Sequence, residues 1–203
     1  NMSSRIRVAR RKRRNWKAIL GPIVVVLVVI AYAWFWNNAR APAHRRYDNL
    51  IIDTAARYNL DPYLVKAVIR QESNFDADAR GKAGEYGLMQ ITEGAARDWE
   101  RSARRSFGSK GSLFRPKLNL EIGCWYLAQA LRRWRDHAGR EVLILAQYNA
   151  GPSRAGTWAE KFKGKNILES IPFDSTRKYI NSVLAHRKRF IQEQQLDDGT
   201  KEP

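Results

Sequence analysis

Glu72 is the residue whose type and position point most directly to chemistry. Positions 65, 68, 69 and 72 form the i, i+3, i+4, i+7 series of one helix face, and Val65, Val68 and Ile69 make that face aliphatic. A carboxylate that completes such a stripe at a helix end is an odd choice for stability alone. Burial disfavours its charged form, so its pKa is expected to rise and the proton to be held toward neutral pH. A carboxyl of that kind can give a proton to a leaving group and later take one back. Glu85, which reads first as a solvent-facing loop residue, and Asp98 are the candidates for a second carboxylate, if either reaches the same groove. Cys124, the only cysteine, lies between Gly123 and Trp125 in an expected helix and reads as a buried thiol. It leaves no intrachain disulfide and no cysteine-based metal site possible. The three histidines (His44, His137, His186) lie far apart in the sequence, and no phosphate-cradling glycine loop is present, so neither a metal nor an organic cofactor is expected.

The elements that must position these residues read as all helix. Apolar residues recur at helical spacing after residue 43, with no strand-like alternation and no internal repeat. The first helix is expected from His44 to Tyr58. Asp61-Pro62 reads as an N-cap and first helical residue that open the helix carrying Glu72. Ser73 to Gly87 reads as a loop, Thr92 as the cap of a helix running toward Arg104, and Asn119 as the cap of the longest central helix, Leu120 to about His137. Further helices are expected over Glu141 to Tyr148, Ser153 to Phe162 and from Asp174 or Ser175 onward, with a loose polar tail from Gln195.

Three segments carry a pattern between them: Glu72-Ser73-Asn74-Phe75, Gly87-Leu88-Met89-Gln90-Ile91-Thr92 and Ala146-Gln147-Tyr148-Asn149-Ala150-Gly151. A fourth runs from Ile171 through Thr176 to Tyr179-Ile180. In this order and spacing, over roughly residues 45 to 190, the chain resembles the soluble-lytic-transglycosylase-type domain, a relative of goose-type lysozyme. The resemblance implies a mainly helical lysozyme-like fold with a groove for a glycan strand. It also implies cleavage of the β-1,4 bond between N-acetylmuramic acid and N-acetylglucosamine in peptidoglycan, without water, leaving a 1,6-anhydromuramoyl end. Glu72 then becomes the acid and afterwards the base. Ser73 helps orient groups beside it, or ends the helix. Gly87 permits close backbone approach, and Met89 and Gln90 line the groove, although core packing is open for Met89. Tyr148 and Asn149 face the N-acetyl side of the substrate, and the Tyr179 hydroxyl lies near the acid. Two departures stand out: Ser175-Thr176 replaces the family's usual Glu-Thr, and Gln147 precedes the Tyr-Asn pair where a small residue is usual.

The fold class expected is therefore all-α, a lysozyme-like domain with a single N-terminal transmembrane helix. The boundaries are 1–17 for a basic cytoplasmic segment, 18–39 for the anchor, 40–194 for the catalytic domain and 195–203 for the tail. The 18–39 stretch carries no charge and has Trp34 and Trp36 toward one end and Trp16 just beyond the other, as an aromatic belt requires. Eight basic residues and no acid fall within 1–17, which places the N-terminus in the cytoplasm and the rest on the extracytoplasmic side of the inner membrane. Signal cleavage near Ala41 or Ala43 is the alternative. The net charge of +17 would suit nucleic acid, but export of the domain argues against that partner. The partners expected are glycan strands, the membrane, and an envelope or secretion machine. Rival functions are a muramidase on the same fold and a non-catalytic glycan-binding scaffold.

Overall fold

A computed structural model describes residues 16–39, 43–161 and 166–199. The chain divides into two units, Asn1–Pro42 and Ala43–Pro203. The first contains α1, Trp16–Ala39, with Pro22 inside it. Its side chains are described over 21–33, where all are exposed. Among the described residues no helix is long and apolar enough to cross a membrane. The basic run over 1–15, and Arg40, Ala41 and Pro42 of the cleavage candidates, lie outside the described residues.

Among its described residues, the regular structure of the second unit is helical except for one small hairpin. The first helix expected after the linker is broken: a 3-10 turn, Ala43–Arg45, precedes α2, Asp48–Arg57. Asp61 caps α3, Pro62–Ser73, by accepting from the Tyr63 N–H at 2.9 Å, with Pro62 in the first turn where its missing N–H costs nothing. Thr92 likewise caps α4, Glu93–Ala103, by accepting from the Ala95 N–H at 3.1 Å. Then follow α5, Pro116–Arg133, α6, Arg140–Ala150, α7, Pro152–Lys161, and α8, Asp174–Gly199.

Three expectations are corrected. The central helix starts at Pro116, so Asn119 is no cap; it lies inside α5, fully buried. Proline at the first helical position fixes the start one turn early. The described part of the tail, 195–199, is helical, because α8 runs on to Gly199, with Gln194 bonded to Asp198 one turn later and Arg45 paired with Asp197 at 2.6 Å; residues 200–203 lie outside the described residues. Strand is also present: β1, Glu85–Tyr86, pairs antiparallel with β2, Ile91–Thr92, in the register Glu85 to Thr92 and Tyr86 to Ile91. Strands of two residues are too short for any alternation to show in the sequence.

The core gathers the apolar faces of α3, α5, α6 and α8, with α3 laid along α8 and α6 between α5, α7 and α8. Cys124 is fully buried in it, and burial pushes its thiol up to about 12, so it is a packing residue. Gln147 is also inward, where its Oε1 accepts from the Trp134 indole N–H at 2.9 Å. A buried indole donor needs such a partner, which accounts for an amide where a small residue is usual.

Candidate active site

Glu72 sits in the last turn of α3. Just beyond it, Asn74 and Phe75 both adopt left-handed backbone, φ 53° and 66°, and turn the chain sharply away. The carboxyl is half-buried, and its Oε1 accepts from the Tyr179 hydroxyl of α8 at 2.7 Å. The packing of α3 on α8 thus joins residues 107 positions apart. Burial pushes the Glu72 pKa up to about 7; the Tyr179 hydrogen bond opposes the rise and the nearby Glu85 charge adds to it. Tyr179 is held well above its ordinary value by burial and the Glu72 charge, so it remains a donor to the carboxylate.

Bonded to the end of α3 is the hairpin loop 87–90, which three helices hold. The Ser73 hydroxyl lies 2.8 Å from the Leu88 carbonyl, tying the end of α3 to the loop. From α6 the Tyr148 hydroxyl donates to the Met89 carbonyl at 2.9 Å. From α5 the Asn119 side-chain N–H group donates to the Tyr86 and Leu113 carbonyls, each at 2.7 Å, and its Oδ1 accepts from the Met89 N–H at 2.7 Å. Gly87 has φ +72°, and a Cβ there would fall 2.6 Å from Asn119 Nδ2 and 2.7 Å from the Leu113 carbonyl oxygen, so only glycine fits. Gln90, also left-handed at φ 49°, folds its side-chain N–H group back onto the Gly87 carbonyl at 2.9 Å. At the end of α6 the exposed Asn149 accepts at Oδ1 from the buried Thr176 hydroxyl of α8 at 3.0 Å.

The structure brings the acid of the first segment, the loop of the second and the tyrosines of the third and fourth to one place. Glu72 and Tyr179 touch directly, while Ser73, Gly87, Gln90 and Tyr148 converge on the loop backbone. The groove-lining reading of the Met89 side chain is corrected. It is fully buried, and its sulfur lies where a Cβ on Gly123 would be 2.3 Å away, so only its backbone serves the loop. Glu85 is half-buried in β1, accepts from the Ala83 N–H at 3.0 Å, and is close enough for its charge to act on Glu72. Asp98 is committed elsewhere, to the Tyr126 hydroxyl at 2.6 Å and to Arg101. His44 and His186, far apart in the sequence, meet at one small pocket, but Arg70 and Arg189 share it and oppose a metal cation there.

Two contributors carry roles that the sequence reading does not assign. Asn119, expected as a cap, occupies with Gly123 and Leu127 a buried stripe at i, i+4, i+8, the same polar-on-apolar signal that singles out Glu72. Thr176 stands in a similar position on α8, one turn before Ile180.

The domain thus holds one near-neutral carboxyl against a tyrosine hydroxyl, beside a backbone loop locked from three helices. The sequence profile of the transglycosylase SLT domain matches residues 49–171, and the chain belongs to that family. It is 30% identical over 156 residues to the soluble lytic murein transglycosylase of Escherichia coli, covering 74% of this chain and 24% of the relative. It is 27% identical over 204 residues to membrane-bound lytic murein transglycosylase C of Klebsiella pneumoniae, covering 89% of this chain and 54% of that one. The structure of an inactive mutant of the lytic transglycosylase Slt from Pseudomonas aeruginosa superposes with a TM-score of 0.68 at 31% identity, over 74% of this chain and 24% of that one. The fold is thus the mainly helical, lysozyme-like one. The chain spans about a quarter of the length of the first curated relatives it matches.

Proposed function

We propose that the chain is a membrane-anchored lytic transglycosylase. It cleaves the β-1,4 bond between N-acetylmuramic acid and N-acetylglucosamine in peptidoglycan and leaves a 1,6-anhydromuramoyl end. The observation that carries this reading is Glu72: a half-buried carboxyl raised to about 7, with a tyrosine hydroxyl on one oxygen. At that pKa both protonation states are populated near neutrality, as a group that acts first as acid and then as base requires.

The reaction balances without water. Glu72 donates its proton to the glycosidic oxygen, which leaves with the N-acetylglucosamine chain. The carbonyl oxygen of the muramic acid's own N-acetyl group supports the positive charge at the anomeric carbon. The Glu72 carboxylate then removes the proton of the C6 hydroxyl, whose oxygen closes on the anomeric carbon. Glu72 ends protonated and ready for the next cycle. Tyr179 positions the carboxyl by donating to Oε1, leaving Oε2 for the substrate. Tyr148 and Asn149 attend the N-acetyl side. Ser73, Gly87, Met89 and Gln90 set the loop backbone against the strand.

The anchor reading rests on the uncharged 18–39 stretch with the basic run before it, and the name of the membrane-bound Klebsiella relative agrees with an envelope setting. The domain then works on the extracytoplasmic face of the inner membrane. A second reading, a muramidase, is favoured by one observation, the Glu85 charge acting on Glu72, since a second carboxylate could activate water. Mass spectrometry of digested peptidoglycan separates the two. Products lighter by one water than those of a muramidase, absent with Glu72→Gln, establish the transglycosylase; reducing ends overturn it.

A further inference from the structure

A second concave site lies away from Glu72, in the same unit. It is a cavity of about 680 Å³ walled by the end of α2, by α4, by the 104–115 segment and by the start of α5. None of its lining residues belongs to the Glu72 site. Four of them are cations: Arg57, Arg105, Arg115 and Lys117. Arg57 is already engaged, with Glu121 at 2.6 Å. Arg115 and Lys117 are exposed and have no ion-pair partner among the described residues, and Arg105 stacks over Trp99 at 5.9 Å from the ring. Three unneutralised cations converging on one cavity form an oxyanion site, and guanidinium forks match carboxylates in a bidentate way.

The rest of the lining narrows the ligand. The volume far exceeds that of a single oxyanion group and suits an organic body of small-ligand size. Leu118 and Trp99 give it an apolar wall. Glu121 also faces in; its two oxygens accept from Arg57 and from the Tyr58 hydroxyl, and its remaining lone pairs can take an N–H. That carboxylate repels a polyphosphate but welcomes an amide or ammonium. We infer that this cavity binds an acidic peptide, its carboxylates on Arg105, Arg115 and Lys117 and its N–H groups toward Glu121. Resting on the proposed function, the peptide is the carboxylate-bearing stem of peptidoglycan, held at a site separate from the glycan cut. The enzyme thereby grips a strand at two places.

Isothermal titration calorimetry of the full chain in detergent tests this. The probes are the stem tripeptide L-alanyl-γ-D-glutamyl-meso-diaminopimelate, the plain tripeptide L-alanyl-L-glutamyl-L-glutamate and sodium tripolyphosphate. The expected result is saturable binding of the stem tripeptide that weakens roughly tenfold or more in Arg105→Glu combined with Arg115→Glu. It should also weaken with added salt. Equal affinity for the plain tripeptide overturns the cell-wall assignment. Preference for tripolyphosphate, or peptide binding unchanged in the double variant, overturns the acidic-peptide site. Release of anhydro ends from peptide-free glycan strands is assayed beside it and should be the same in wild type and double variant. If wild type releases none, the catalytic reading fails while the titration still decides the cavity.

Discussion

At the scale of the residue, the proton on Glu72 bears on stability and, under the proposed mechanism, on activity. Its folded pKa is raised from 4.5 to about 7, so the native state holds the proton more tightly than the unfolded chain does. The stability this group contributes is fully present below pH 4.5 and is lost as pH rises through about 7. Glu72→Gln removes the charge that burial penalises. It should therefore melt above wild type at pH 8, by an amount worth about 1–3 kcal/mol, with the gap closing in acid. The same substitution should lower turnover by roughly 10²–10⁴-fold, read from anhydro-end release. Tyr179→Phe deletes the hydrogen bond that holds the Glu72 pKa down. The alkaline limb of its pH–rate profile should move to higher pH, and an unmoved limb would show that the hydroxyl does not act on the acid.

At the scale of the element, the hairpin loop is rigid because three helices each spend a polar side chain on it. Asn119 contributes most, with bonds to the Met89 N–H and the Tyr86 carbonyl of the hairpin and a further one that ties it to the Leu113 carbonyl, all from inside α5. Asn119→Ala leaves a buried N–H and two carbonyls unpaired, at about 1–3 kcal/mol for each group left unsatisfied. The expected outcome is a lower melting temperature together with faster hydrogen exchange at the Met89 amide. Asn119→Asp accepts from Met89 but cannot donate to the two carbonyls, so it should rescue little of the loss. Gly87→Ala meets both a left-handed backbone and a carbonyl 2.7 Å from the new methyl, and should destabilise by about 1–3 kcal/mol. The helices themselves were legible from caps at Asp61 and Thr92 and from apolar periodicity. The hairpin was not, because its strands are two residues long and the side chain that clasps it, Asn119, lies 27 residues beyond β2 on another element.

At the scale of the whole molecule, the uneven charge and the apolar 18–39 stretch bear on where the domain works. The full chain should sediment with membranes and be released by detergent but not by salt, whereas residues 43–203 alone should stay in the supernatant; fractionation with salt and detergent washes checks this. Salt-resistant retention separates burial of an apolar helix from electrostatic adhesion, which screening weakens.

By itself the sequence determined the helical class, most of the helix starts and which carboxylate completes an apolar helix face. Each of these is written locally: a cap within three residues, a stripe within eight, a carboxylate where an aliphatic residue belongs. Only the tertiary structure supplied the contacts themselves. The Tyr179 hydroxyl on Glu72, the Tyr148 hydroxyl on the Met89 carbonyl and the Asn119 clasp come from helices far apart in the chain, and α3 lying along α8 brings the first of these to Glu72. The same packing set the burial that raises the Glu72 proton affinity, sent the Met89 side chain to the core instead of the groove, and gathered Arg57, Arg105, Arg115 and Lys117 around one cavity. Burial and convergence depend on which surfaces meet, and periodicity along a single helix carries no record of its neighbour.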